Sequence, residues 1–281
     1  VGIYSNTNTN YAYLLQINGT IATPVIFQKT GEGADPVINF TGASSTNINV
    51  GFLLYGADYI TFDHLKINDA GTDENTYLDR AFYILNFGED GANYNTLKNL
   101  NIDLTGTNSA LIGIYLYNNY LSSLVAPNNN NLFYNNILTD MNSGYYLNAF
   151  RVEDSGNIIG TIDGGTSSIT NLYSNSSTTI YGIYAYRQKN FQCFNTTLNN
   201  FDATTGTSTI YGIFNSMINN STIRNNTISN LSGNNRIFGI YFRPNDENPS
   251  SCYNNTIYGL SSIGSSTYSF TRGIDVSNIG Y

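Results

Sequence analysis

Asn225-Asn226-Thr227-Ile228 returns as Asn254-Asn255-Thr256-Ile257, with looser copies at Asn195–Leu198, Asn135–Leu138 and Asn99–Ile102. Aligning the last position of the phrase gives Ile67, Ile102, Leu138, Ile169, Leu198, Ile228 and Ile257, with steps of 35, 36, 31, 29, 30 and 29 residues. Recurrence at such a period marks a solenoid, in which each unit buries its apolar face only against its neighbours. A second column aligns with it: Gly51-Phe52, Ala81-Phe82, Gly113-Ile114, Ala149-Phe150, Gly182-Ile183, Gly212-Ile213, Gly239-Ile240 and Gly273-Ile274. Within the units apolar residues alternate, as in Ile114 and Leu116, Phe150 and Val152, and Ile240 and Phe242. Period two means strands with one face inward, and no stretch carries a helical period.

These patterns predict an all-β, right-handed parallel β-helix of about eight coils of roughly 30 residues. Residues 1–281 read as one domain, with 1–50 less regular and 51–281 regular. The 45 asparagines suit corners, because Asn tolerates left-handed backbone angles and its amide satisfies turn groups. Stacked Asn side chains also hydrogen-bond between coils.

The phrase Asn-Asn-Thr-Ile followed by Gly-Ile-Tyr resembles the repeat of right-handed parallel β-helix proteins of the pectin-lyase-like superfamily, including the NosD-like group. The stretch Gly19-Thr20-Ile21-Ala22-Thr23-Pro24-Val25-Ile26-Phe27-Gln28-Lys29-Thr30-Gly31, with Asp58-Tyr59-Ile60-Thr61-Phe62-Asp63, is similar to large secreted, surface-attached β-helix proteins of Bacteroidetes. The resemblance covers nearly the whole chain and implies a fold. It leaves activity open, because enzymes, adhesins and fibres share that scaffold.

Composition narrows the classes. Charged residues are 11% of the chain and the net charge is −8, with 11 basic residues, a poor balance for neutralising nucleic-acid phosphates. No apolar run reaches the roughly 18 residues of a membrane span. The Thr-, Asn- and Tyr-rich, Lys-poor make-up suits an extracellular or cell-surface protein. Cys193 and Cys252 share one repeat position with Ile223 between them, which places them two layers apart, about 9.6 Å, too far for a disulfide. Both are expected to be reduced and inward, in a column with Phe62, Leu97 and Phe133.

Chemistry is sparse. The Asn-Thr-Asp, Asp-Asp, Gly-His-Gly and Arg-Ile-Lys motifs of polygalacturonases are missing, so no catalytic residue is assigned. His64 is the single histidine, is expected to point outward, and has no second imidazole for a metal site. Arg187 and Arg243 read as structural. The acidic pairs Asp73-Glu74, Glu89-Asp90, Glu153-Asp154 and Asp246-Glu247 offer hard oxygens along one edge, where Ca²⁺ is the only cofactor to consider, but solubilising loop charge explains them better.

The outward positions after the Gly/Ala–Phe/Ile step are more informative. They read Leu53, Tyr83, Tyr115, Arg151, Tyr184, Phe214, Tyr241 and Asp275, and the next row reads Tyr55, Leu85, Tyr117, Glu153, Tyr186, Ser216, Arg243 and Ser277. Tyr83, Tyr115, Tyr117, Tyr184, Tyr186 and Tyr241 are thus the candidate ligand-binding residues, an aromatic strip for a glycan or a neighbouring protein surface. Val1-Gly2-Ile3-Tyr4 and Gly273-Ile274-Asp275-Val276 both resemble the Gly-Ile strand and carry no polar cap, so a segment of a longer chain or end-to-end self-association is expected. The leading expectation is a non-catalytic structural or adhesive segment of a large surface protein; a polysaccharide-binding or polysaccharide-degrading module and a stacking filament subunit are the alternatives.

Overall fold

The computed structural model describes residues 4–5 and 9–277, apart from 43–47, 74–75, 106–110, 119–124, 151, 161–164, 175–176, 246–247 and 266. The chain is a parallel β-solenoid of about 7 turns with roughly 31 residues per turn, with no helix among the described residues. Each regular turn contributes one strand to each of three sheets, one of ten strands and two of eight. One turn runs through Ile180–Tyr186 in the ten-stranded sheet, Gln192–Phe194 in the first eight-stranded sheet and Thr196–Ala203 in the second. The next turn repeats the order with Ile210–Ile218, Thr222–Arg224 and Thr227–Gly233.

The Thr-Ile column stacks as expected, with Ile67, Ile102, Leu138, Ile169, Leu198, Ile228 and Ile257 in unbroken register. All but the last are fully buried. Cys193 pairs with Ile223 and Ile223 with Cys252. Both thiols are free, and burial pushes that of Cys193 up to about 12, which leaves it an inert apolar side chain.

The corners explain the first Asn of the phrase. Asn99, Asn135, Asn195, Asn225 and Asn254 all lie at φ between 52° and 57°, and His64 occupies the same column at φ 54°. A second corner stacks Tyr59, Tyr94, Asn130, Asn190 and Asn220, and a third stacks Asp140, Asn171, Asn200 and Asn230, all left-handed. Single left-handed residues bend the chain about the axis, and Asn adopts that conformation more readily than other L-residues.

The second Asn of the phrase turns inward. Asn136, Asn226 and their relatives Asn95, Asn131 and Asn157 are buried. The Asn95 amide donates to Asn131 Oδ1 (3.0 Å), that of Asn131 to Asn157 Oδ1 (2.9 Å), and Asn157 Nδ2 to Gln188 Oε1 (3.0 Å). Each side chain thus satisfies backbone groups where the chain leaves the ladder between sheets, groups that burial would otherwise leave unpaired.

The Gly column reflects close approach between turns. A Cβ on Gly212 would lie 2.5 Å from the carbonyl oxygen of Gly239 and 2.9 Å from Ile228 Cγ2. Gly144, Gly182 and Gly239 face the next turn in the same way. Gly212→Ala is therefore expected to destabilise the fold by about 1–3 kcal/mol through overpacking. Gly273→Ala, where nothing lies within 4 Å, should be nearly neutral. Urea unfolding of the two variants checks this, and equal midpoints would refute the reading.

One unit departs from the aligned columns. Ile114 pairs with Tyr145 and Tyr145 with Ile183, so the step is Gly144-Tyr145, not Ala149-Phe150. Phe150 and Val152 are 45% and 39% exposed, and Arg151 lies outside the described residues. Tyr145 escapes a search for Phe or Ile, yet it is fully buried because Asn136 Nδ2 donates to its hydroxyl at 3.2 Å. Before it, Ala12-Tyr13 supplies the first step, with Tyr13 paired to Phe52. Tyr4–Ser5 pairs antiparallel to Thr9–Leu15, while Val1–Ile3 lies outside the described residues. Both terminal layers expose core-column side chains, among them Tyr13, Phe27, Ile274 and Val276.

Candidate binding face

The outer surface of the ten-stranded sheet is built by two neighbouring rows. The first reads Leu14, Leu53, Tyr83, Tyr115, Tyr146, Tyr184, Phe214, Tyr241 and Asp275 in register. Tyr146 takes the place expected for Arg151, and Asn148 that expected for Glu153. The second row holds Arg80, Ile112, Ser143, Tyr181, Tyr211, Phe238 and Arg272. Tyr181, Tyr211 and Phe238 were missed because strict alternation hides them. Each immediately precedes the Gly, and the Gly and the residue after it both face inward, so the residue before the Gly is outward.

Within the first row Tyr146 stacks on Tyr184 at 4.1 Å, Tyr184 on Phe214 at 4.9 Å and Phe214 on Tyr241 at 5.0 Å. Within the second, Tyr181 stacks on Tyr211 at 5.3 Å and Tyr211 on Phe238 at 4.8 Å. Between rows the contacts are edge-to-face, for example Tyr181 on Tyr184 at 76°. This herringbone combines both favourable aromatic geometries. Its consequence for binding is specific. The interior rings cover one another's faces, so the surface offers ring edges and hydroxyls in place of open platforms. Of the expected residues, Tyr115, Tyr184 and Tyr241 lie in the herringbone and stay partly exposed. Tyr83 is buried with Val50 and Leu53 in a small cluster on the same face. Tyr117 and Tyr186 flank it in a third row, 5.6 Å from Tyr115 and 6.3 Å from Tyr184.

Burial pushes the phenols of Tyr83, Tyr115, Tyr146, Tyr181, Tyr184 and Tyr211 up, reinforced at Tyr181 and Tyr184 by neighbouring tyrosines. These tyrosines therefore stay uncharged and keep their hydroxyl protons at all physiological pH values.

The described members of the acidic pairs sit in unlike surroundings. Glu89 and Asp90 are exposed in a tight turn closed by reciprocal Phe87–Asp90 backbone bonds of 2.7 and 3.0 Å. Asp73 accepts from Thr76 in another turn, while Glu74, Asp246 and Glu247 lie outside the described residues. Glu153 accepts from Asn219 at 3.0 Å. Asp154 is fully buried and joins the amide ladder. It accepts from the Asn128 amide at 2.8 Å and Asn118 Nδ2 at 3.1 Å, and burial raises its pKa to about 7 against those stabilising bonds. No group of three metal-ligating side chains occurs among the described residues. His64 is half exposed and touches Asp63 at 2.5 Å, and Arg187 donates to the carbonyl of Phe150.

No protein-family model and no curated protein matches this chain. Among solved structures it is similar to the GH136 lacto-N-biosidase of Eubacterium ramulus, at 14% identity to the native protein and 13% to the selenomethionine derivative. Both superpositions have a TM-score of 0.42 and cover 87% of this chain, which spans 59% of each of those chains. The fold assignment rests on the sheets themselves, and a likeness of this degree adds no argument about activity.

Proposed function

We propose that the chain is a non-catalytic, adhesive β-solenoid of a secreted or surface protein, and that it engages polysaccharide along the outer face of its ten-stranded sheet. The observation that carries this reading is the herringbone, an apolar yet hydroxyl-edged surface running through five successive turns from Tyr115 to Tyr241 and left partly open. Contiguous exposed aromatic surface on a soluble scaffold marks an interaction site. Its hydroxyl edges suit a linear polymer with many hydroxyls better than a purely apolar partner, since a buried sugar hydroxyl needs a hydrogen-bond partner. The stacked core makes the face rigid, so little ordering cost opposes binding.

Retardation in gels containing neutral or acidic polysaccharides, followed by titration calorimetry, tests the reading. The double variant Tyr146→Phe/Tyr184→Phe keeps the rings and removes two hydroxyls. It is expected to weaken binding about tenfold, from two hydrogen bonds of about 0.5–1.5 kcal/mol each. Absence of retardation on every polysaccharide would overturn the proposal. Release of reducing ends, abolished by substituting a carboxylate, would overturn its non-catalytic part in favour of a polysaccharide-degrading module.

A further inference from the structure

The herringbone has one break. Tyr115 meets Tyr146 edge-to-face at 80° instead of stacking, and the second row there carries Ile112 and then Ser143. The small Ser143 leaves a notch of about 270 Å³. Arg80, Tyr115, Tyr146, Thr179 and Tyr181 stand around it.

We propose that this notch is a subsite for an anionic substituent, a carboxylate or a sulfate, on one sugar of the bound glycan. The inference rests on the reading of this face as a glycan-binding surface and adds the chemistry of one position on it.

Arg80 carries the argument. Its guanidinium lies 4.6 Å from the Tyr83 ring centroid and 4.3 Å from that of Tyr115, so two rings hold it in place. Its Nε and Nη1 are buried with no hydrogen-bond acceptor. Lys29, Lys98 and Arg272 each contact a carboxylate, whereas no ion pair to Arg80 occurs among the described residues. A buried donor without an acceptor is costly, and a held guanidinium presents a planar fork matched to carboxylate or sulfate oxygens. On the four strands around the notch, Arg80–Leu85, Ile112–Tyr117, Ser143–Asn148 and Ile180–Tyr186, Arg80 is the one charged residue, although the chain as a whole is acidic. The local field therefore favours an anion where the net charge does not. The volume falls below the 300–1,000 Å³ of sites for drug-sized ligands, so the notch takes one ring or its substituent while the rest of the polymer lies along the herringbone.

Titration calorimetry with cello-oligosaccharides of one length in neutral, carboxylated and sulfated form tests this. Either anionic form is expected to bind at least tenfold tighter than the neutral one, and the stronger of the two identifies the substituent. Arg80→Gln should erase that advantage, Arg80→Lys should retain part of it, and Ser143→Phe, which fills the notch from the opposite wall, should erase it independently. Circular dichroism confirms that each variant is folded. Equal affinity for the three probes, or an anionic advantage untouched by both Arg80→Gln and Ser143→Phe, would overturn the subsite and leave the glycan-binding face standing. No binding of any probe or of any polysaccharide would overturn the face itself, and the subsite with it.

Discussion

Asn226→Ala is expected to destabilise the solenoid by about 2–6 kcal/mol, whereas Asn225→Ala, one residue earlier in the same phrase, should cost only about 1 kcal/mol. The two asparagines do different physical work. Asn225 is exposed and holds φ at 57°, so alanine there loses only the greater ease with which Asn adopts a left-handed backbone. Asn226 is 1% exposed, accepts from the Thr196 amide at 3.0 Å and donates to the Cys193 carbonyl at 3.1 Å. It also donates to Asn255 Oδ1 at 3.0 Å. Alanine at 226 leaves the Thr196 amide and the Cys193 carbonyl without those partners inside the core, at about 1–3 kcal/mol each. Urea unfolding followed by far-UV circular dichroism measures both, and similar losses at the two positions would refute the division of labour.

Asp154→Asn should flatten the dependence of stability on pH. The carboxyl titrates near 3.8 when unfolded and at about 7 when folded, because burial outweighs the bonds from Asn128, Asn118 and Gln188. Below pH 4 both states hold the proton and the group costs nothing. Between pH 4 and 7 the unfolded chain releases it and the folded chain keeps it, so stability falls with rising pH. The fall is about 1.4 kcal/mol per pH unit and reaches about 4 kcal/mol above pH 7. Burial also raises the carboxyls of Asp58, Asp69 and Asp140, so the wild-type slope is a sum. Subtracting the variant isolates Asp154: wild type should lose up to about 4 kcal/mol more than Asp154→Asn between pH 4 and pH 8. Denaturation midpoints that move in parallel for the two proteins would contradict the buried, protonated carboxyl.

The fold was legible because its determinants are local and repeated. The alignment of Ile67 through Ile257 required only the rule that stacked turns bury equivalent positions, and the same rule placed Cys193 and Cys252 either side of Ile223. It failed at Gly144-Tyr145 because the column was defined by residue type. A tyrosine enters a core once its hydroxyl has a partner, and that partner, Asn136, comes from another corner of the turn. The candidate face was half legible. Tyr115, Tyr184 and Tyr241 followed from alternation, but Tyr181, Tyr211 and Phe238 lie beyond the Gly that breaks it.

The recurrence of Asn-Asn-Thr-Ile and Gly-Ile by itself determined a solenoid, its register and its left-handed corners, since each depends on backbone conformation and on one residue stacking above its counterpart. Only the tertiary structure decided that the second Asn turns inward, that Asp154 joins the buried amides while its neighbour Glu153 bonds to Asn219, and that the tyrosines cover one another's faces. Those outcomes depend on which polar group another turn leaves unpaired and on how rings from two rows tilt against each other. Such contacts join residues one turn apart or, for Glu153 and Asn219, 66 positions apart, and no spacing within one turn specifies them.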